Sequence, residues 1–302
     1  MDYDLIIIGA GPAGLTAAVY AARYKLNVLI ISRDSGGLAA TAHKICNYPS
    51  YPEVSGFDLM QKFVKQVEEL KVPVIYEDVH KIEKVKEKFI VSTVNKKYKS
   101  KKIIFAIGTT RSKLNVPGEK NLLGRGVSYC ATCDAAFFKN KITAVVGGSD
   151  AALTASLLLN EYASKVYIVY RKGAFIRGEP AWIELVDKEK KIEKLFNEEI
   201  LEIIGNDKVE GVKLKSGKTL NIDGIFIEIG SVPEVSLAHD LGVKLNEKNY
   251  VITDKEQKTS VLGFFAAGDI TNNCLKQIVT AASEGAVAAY QAYSEIKKDE
   301  MK

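Results

Sequence analysis

The chain has 302 residues, enough for two domains, and is 47% hydrophobic and 26% charged, which excludes a disordered or fibrous chain. Its 42 basic and 37 acidic residues leave a net charge of only +5 with both signs mixed, so a nucleic-acid binder is not indicated. No apolar run is long enough to span a bilayer, and four cysteines are too few for a secreted disulfide scaffold.

A strand-like run begins at Asp4, which leaves no room for a signal peptide, so the cytoplasm is the expected compartment. Leu5-Ile6-Ile7-Ile8 reads as a buried parallel strand. Gly9-Ala10-Gly11-Pro12-Ala13-Gly14 follows, then a helix from about Leu15 to Tyr24 and a strand at Val28–Ile31. This is a βαβ unit opened by G-x-G-x-x-G. Two antiparallel strands are expected from Val85 to Val94 and from Tyr98 to Ile104, the second ending in the small-residue turn Gly108-Thr109-Thr110. The opening grammar then recurs. Ile142–Val146 is a strand, Gly147-Gly148-Ser149-Asp150-Ala151-Ala152 a turn, Ala151 to Glu161 a helix and Val166–Val169 a strand. Val209–Leu214 and Thr219–Ile222 form a hairpin around Ser216-Gly217, and the run from Gly224 to Gly230 echoes the earlier strand at 103–108. A last strand ends at Gly268-Asp269, ahead of a helix from about Lys276 to Lys297.

The first loop has a direct physical reading. Gly9 makes the tight turn, Gly11 lets backbone approach a pyrophosphate, and Gly14 lets helix pack on strand, with phosphates at the positive helix end. The acid expected at the end of the second strand is replaced by Ser32, for which Asp34 or a water can substitute. In the second loop Ser149 stands where the middle glycine belongs. Past its second strand come Arg171, Lys172 and Arg177, where an NAD-binding chain places an acid. Cations there suit a 2′-phosphate and favour NADPH over NADH. The bland alternative is a solvated basic turn.

Cys130 and Cys133 form a C-x-x-C pair just ahead of the second loop. In a reducing compartment this spacing reads as redox or metal-binding. Zinc needs further ligands, and His43, His80, His239, Cys46 and Cys274 are scattered. C-x-x-C lowers the pKa of one thiol, and the adjacent Asp134 is a candidate proton donor, or else a cap. Flavin is the natural go-between for a hydride and a disulfide.

As a set, these motifs resemble low-molecular-weight thioredoxin reductases over nearly the full chain. The carriers are Gly9–Gly14, Gly36-Gly37-Leu38, Asn47-Tyr48-Pro49, Ala106-Ile107-Gly108-Thr109, Cys130-Ala131-Thr132-Cys133-Asp134, the second loop, and Ala266–Asp269 with Lys276-Gln277. The resemblance implies an α/β fold of two Rossmann-like three-layer nucleotide-binding domains, the second inserted into the first. Residues 1–112 and 236–302 would form the FAD domain and 113–235 the NAD(P)H domain carrying the cysteines. It implies FAD at Gly9, Gly11, Pro12, Ala13, Gly14, Ser32, Gly37, Leu38, Asn47, Gly108, Thr109, Gly268, Asp269, Lys276, Gln277 and Ile278. NADPH would lie at Gly147, Ser149, Asp150, Ala151, Ala152, Arg171, Lys172 and Arg177. No metal is implied.

The expected activity is transfer of electrons from NADPH through FAD and the Cys130–Cys133 disulfide to a thioredoxin or glutaredoxin-like protein, by a homodimer that binds neither nucleic acid nor membrane. Cys133, beside Asp134, is expected to be the sulfur nearer the flavin. Four departures from the family pattern stand out: Tyr170-Arg171-Lys172 for His-Arg-Arg, Ser149 for glycine, Ala135 for glycine after Cys-Asp, and Lys276 for arginine. They leave NADH or another reductant open. The rival readings are a flavin-dependent dithiol oxidase, and a non-catalytic redox sensor built on a relic.

Overall fold

The computed structural model describes residues 2–301, which group into two compact units. One comprises Met1–Ala40, Ile45–Thr110 and Pro233–Lys302; the other comprises Thr41–Lys44 and Arg111–Val232.

The first unit is built on a seven-stranded sheet in the order Val74–Tyr76, Val28–Ser32, Asp2–Ile8, Lys97–Phe105, Lys88–Thr93, Val79–Val85, with Phe264–Ala266 also paired to Lys97–Phe105. The inner strands are parallel, with Leu5 opposite Val28 and Ile8 opposite both Ile31 and Phe105. Successive side chains serve opposite faces. Leu5, Ile7, Ile30 and Ile104 join the alanines of the helices Pro12–Arg23 and Ile278–Glu300, while Ile6, Ile8, Leu29, Ile31, Ile103 and Phe105 fill the other face. Burial on both faces is why these strands read as unbroken apolar runs. The two helices approach closely because Gly285 has no side chain, since a Cβ there would lie 2.1 Å from the Ala13 carbonyl oxygen.

The second unit repeats the plan with a five-stranded parallel sheet ordered Ile192–Phe196, Lys165–Tyr170, Ile142–Val146, Gly224–Ile227, Val127–Ser128. A three-stranded antiparallel sheet, Ile200–Ile204, Gly211–Leu214 and Thr219–Asn221, contains the expected hairpin.

Several sequence expectations shift. The first helix starts at Pro12 rather than Leu15, because proline at the first helical position has a preset φ and no orphan N–H. The run from Val85 to Val94 is not one strand. It turns at Lys86 (φ 55°), so Val79–Val85 and Lys88–Thr93 form a hairpin, and only the second pairs with Lys97–Phe105. The last helix runs from Ile278 to Glu300, capped by Gln277 and Thr280 in a reciprocal box. The helices Gly56–Glu69 and Pro180–Lys188 were not anticipated.

Candidate functional site

In the first unit, glycines shape the loop at 9–14 and leave one opening. Gly9 has φ +104°, and a Cβ there would lie 2.4 Å from the Ala106 carbonyl oxygen; one on Gly14 would lie 1.9 Å from the Gly9 oxygen. Nothing lies within 4 Å of where a Gly11 Cβ would be. The helix behind it has no acidic residue in its first turn and no side-chain cap at Gly11. Its N–H groups and positive end therefore suit an anion, and the loop fits the pyrophosphate of a dinucleotide such as FAD.

Ser32, Gly37 and Gly268 lie against this loop, while the other expected residues make their contacts elsewhere in the unit. Ser32 Oγ accepts the Ala10 N–H at 3.0 Å, so the serine in the acid's place braces the loop. Gly36 N–H donates to the Ala10 carbonyl at 2.8 Å, and a Cβ on Gly37 (φ +56°) would lie 3.5 Å from Gly11 Cα. A Cβ on Gly268 would lie 3.0 Å from that of Ala13. Asn47 Nδ2 donates to Gln277 Oε1 at 3.2 Å, uniting two residues far apart in sequence. Lys276 turns inward. Its Nζ donates to the Thr271 carbonyl and lies 4.4 Å from the Tyr250 ring centroid. Burial lowers the Lys276 pKa and raises that of nearby Asp269. Leu38 is exposed, and Gly108 and Thr109 lie where the chain leaves the strand Lys97–Phe105.

Sequence reasoning missed Glu284. This buried carboxylate accepts the Gly268 N–H at 2.7 Å and the Thr271 hydroxyl at 3.1 Å, and also binds Asn273 Nδ2, so it shapes the Gly268-Asp269 turn. A lone acid in the alanine-rich half of a helix was the available signal.

The second loop is more crowded. Gly147 (φ +144°) lies against the Glu228 carbonyl oxygen, 2.2 Å from its would-be Cβ, as Gly9 lies against Ala106. A Cβ on Gly148 would lie 2.6 Å from the Tyr170 ring. Ser149 pairs its backbone with Arg177, and Asp150 Oδ1 accepts the Glu179 N–H at 2.6 Å. The segment 177–179 thus lies along the loop and brings Arg177 to it. Arg171, Lys172 and Arg177 are all exposed. Ala151 and Ala152 lie in the first turns of the helix Asp150–Tyr162.

Cys130 and Cys133 are joined as a disulfide, with S–S 2.09 Å and Cα atoms 5.3 Å apart. Cys130 caps the short helix Ala131–Asp134, and its Sγ accepts the Cys133 N–H at 3.2 Å. That donor favours a thiolate at Cys130 when the bond opens. Cys133 is exposed, Cys130 half-buried, and Asp134 follows within the same helix. The preceding residue is pinned firmly. Tyr129 OH donates to Glu119 Oε1 at 2.6 Å, and the same carboxylate accepts the N–H groups of Leu114 and Asn115 at 2.9 and 2.6 Å. Burial, then this carboxylate, pushes the Tyr129 pKa above its usual value.

Glu228 directly follows the strand Gly224–Ile227 and is only 7% exposed. Arg111 Nη1 donates to its Oε2 at 2.6 Å. Burial pushes its pKa up to about 7 against the opposing pull of Arg111. An ordinary glutamate ionises near 4.5, so the folded state binds this proton more tightly than the unfolded chain. The associated stability is fully present below about pH 4.5 and is lost as pH rises through about 7. Glu228→Gln is therefore expected to flatten the fall in stability across that window by on the order of 3 kcal/mol, read by denaturant unfolding at pH 4.5 and pH 8.

Two dinucleotide-type loops, one open to a pyrophosphate, together with an accessible disulfide define a nucleotide-linked disulfide oxidoreductase. The profile of the pyridine nucleotide-disulphide oxidoreductases matches residues 3–285, and the chain belongs to that family. It is 39% identical to a thioredoxin reductase of Listeria innocua, over 98% of this chain and 94% of the relative. Among solved structures it is similar to the thioredoxin reductases of Lactococcus lactis (36% identity, 98% of this chain and 99% of the other, TM-score 0.94) and T. acidophilum (36%, 97% and 98%, TM-score 0.93).

Proposed function

We propose that this chain is an FAD-dependent thioredoxin-disulfide reductase with NADPH as donor. The observation that carries the reading is the accessible Cys130–Cys133 disulfide, set at a helix cap on a unit with its own dinucleotide loop. Similarity to thioredoxin reductases over nearly the whole chain supports a thioredoxin-like protein as the partner.

Gly9, Gly11, Gly14, Ser32, Gly37, Asn47, Gly268, Asp269 and Gln277 would hold FAD. When bound, FAD supplies the two-electron chemistry between a nicotinamide hydride and a disulfide. The chain's part follows from its sulfurs. Two electrons open the Cys130–Cys133 bond and two protons complete the thiols. Cys130, whose thiolate the Cys133 amide favours, attacks the partner's disulfide. Cys133 then attacks the Cys130 sulfur of the mixed disulfide, the bond to the partner breaks, the partner leaves as a dithiol, and the pair is a disulfide again. This division leaves Cys133, beside Asp134, as the sulfur that would take electrons from the flavin. Unit 1 is accordingly read as the FAD unit and unit 2 as the NAD(P)H unit. The same reading expects a cytoplasmic homodimer.

Arg171, Lys172 and Arg177 support NADPH. Each lost charge-assisted contact to a 2′-phosphate is expected to raise KM for NADPH about 10-fold. The variants Arg171→Ala and Arg177→Ala should leave KM for NADH within about twofold, since NADH carries no 2′-phosphate. Equal effects on both nucleotides in steady-state assays would remove this cluster from nucleotide choice. A second reading, a reductant other than NADPH, draws on Ser149, the Tyr170 ring over Gly148 and the 177–179 segment along the loop. Anaerobic titration of the yellow protein with NADPH and with NADH, followed by oxidised thioredoxin, separates the two.

A further inference from the structure

Thr132 sits between the two cysteines, and its Oγ1 donates to the main-chain carbonyl of Thr41 at 2.8 Å. The hydroxyl oxygen of Thr41 accepts Arg111 Nη2–H at 3.0 Å. The other arm of that guanidinium, Nη1, is the one held by Glu228 at 2.6 Å. Glu228 is anchored in turn, because its N–H donates to the Val146 carbonyl at 2.9 Å, beside Gly147. All these residues belong to the second unit. Disulfide exchange requires none of them, and a C-x-x-C turn closes without them. A buried carboxylate–guanidinium pair contributes little net stability, because desolvation offsets its attraction. Its geometric effect is larger, since with Nη1 held by Glu228 the planar fork fixes the direction in which Nη2 meets Thr41.

We propose that Glu228, Arg111 and Thr41 form a positioning relay that holds Thr132 and thereby sets the thiol–disulfide equilibrium of Cys130–Cys133. The Thr132–Thr41 bond is made with the S–S bond closed. Opening that bond frees the sulfurs to part and the turn carrying Thr132 to relax. The relay therefore weights the pair towards its oxidised form, and loosening it makes the disulfide easier to reduce. The inference rests on Cys130–Cys133 being the redox pair.

The test uses the full flavoprotein in buffers of reduced and oxidised dithiothreitol. Reduced dithiothreitol gives two electrons and two protons to the protein disulfide and cyclises to its own disulfide, and the equilibrium is trapped by alkylation and read by mass. Three variants keep side-chain shape: Thr132→Val loses the donor to Thr41, Thr41→Val loses the acceptor for Arg111 but keeps its carbonyl, and Glu228→Gln, compared at pH 8 where Glu228 is ionised, loses the charge. Loss of one hydrogen bond corresponds to an expected shift of about 3- to 10-fold towards the dithiol in Thr132→Val. Smaller shifts in the same direction are expected in the other two. The Thr41→Val/Thr132→Val double variant should shift no further than Thr132→Val alone, because a relay acts through its last member. A shift below about 1.5-fold in Thr132→Val, or shifts that add in the double variant, would overturn the relay. A wild-type pair that fails to exchange reversibly would instead overturn the redox reading, so the two failures are distinct.

Discussion

Cys133→Ser is expected to reduce thioredoxin-disulfide turnover by about 10³-fold or more while the purified protein remains yellow, because the substitution removes one of only two sulfurs that can carry the electron pair. The two cysteine variants should fail differently. In Cys133→Ser, Cys130 keeps its amide donor at position 133, so it still attacks the partner. With no resolving thiol, the mixed disulfide accumulates and is visible by mass under non-reducing conditions. In Cys130→Ser the favoured thiolate is gone, and no such adduct forms at a comparable rate. Neither substitution touches the residues that line the first glycine loop, so flavin content per chain should match the wild type. Thioredoxin turnover retained in either variant would refute the role given to these sulfurs.

The second large effect separates folding from cofactor binding within one loop. Gly11→Val is expected to fold normally and to lose FAD. Gly11 has φ −79° and ψ −174°, an extended conformation open to valine, and nothing lies within 4 Å of the new Cβ. The side chain instead takes the space a pyrophosphate needs, so affinity for FAD should fall by at least about 100-fold, giving a soluble colourless protein. Gly14→Ala should behave in the opposite way. Its Cβ would lie 1.9 Å from the Gly9 carbonyl oxygen, a backbone atom that cannot swing aside, so the helix Pro12–Arg23 must separate from the sheet. A destabilisation of about 3 kcal/mol or more is expected, with poor soluble yield. Far-UV circular dichroism and the 450 nm flavin band together read both outcomes. A Gly11→Val protein that retains one FAD per chain would show that the loop is a structural turn and not a binding site.

The strands and glycine loops were legible because they follow from local rules. Leu5–Ile8, Val28–Ile31 and Ile142–Val146 are buried on both faces, and such strands must be continuously apolar. Gly9 and Gly14 are needed where backbone meets backbone, which leaves a fixed spacing in the chain. The hairpin at 79–93 is hidden in the sequence because its turn, Lys86-Glu87, holds none of the Gly, Asn, Asp or Pro residues that usually mark one, although Lys86 adopts a positive φ there. The helix Gly56–Glu69 carries a readable start signal in its sequence. Ser55 Oγ accepts the Asp58 N–H at 3.0 Å and donates to Asp58 Oδ2 at 2.7 Å, a cap readable as Ser-x-x-Asp ahead of apolar residues at 59, 60, 63 and 67. Long-range polar pairings were not legible at all. Asn47 with Gln277, Arg111 with Glu228, and Thr41 with Thr132 join residues that only the folded chain brings together. Glu228 left a trace, as a single carboxylate in an otherwise apolar strand run, but its partner left none.

In the proposed reaction, reducing equivalents from a pyridine nucleotide come to rest on Cys130 and Cys133. This is tested most directly by mixing the oxidised flavoprotein anaerobically with one equivalent of whichever nucleotide bleaches the flavin, quenching with an alkylating reagent and mapping the modified peptides by mass. Cys130 and Cys133 should be newly alkylated in equal amounts, about two thiols per pair of electrons delivered, with Cys46 and Cys274 modified equally with and without nucleotide. A reduced flavin alongside an intact Cys130–Cys133 bond at equilibrium would contradict it.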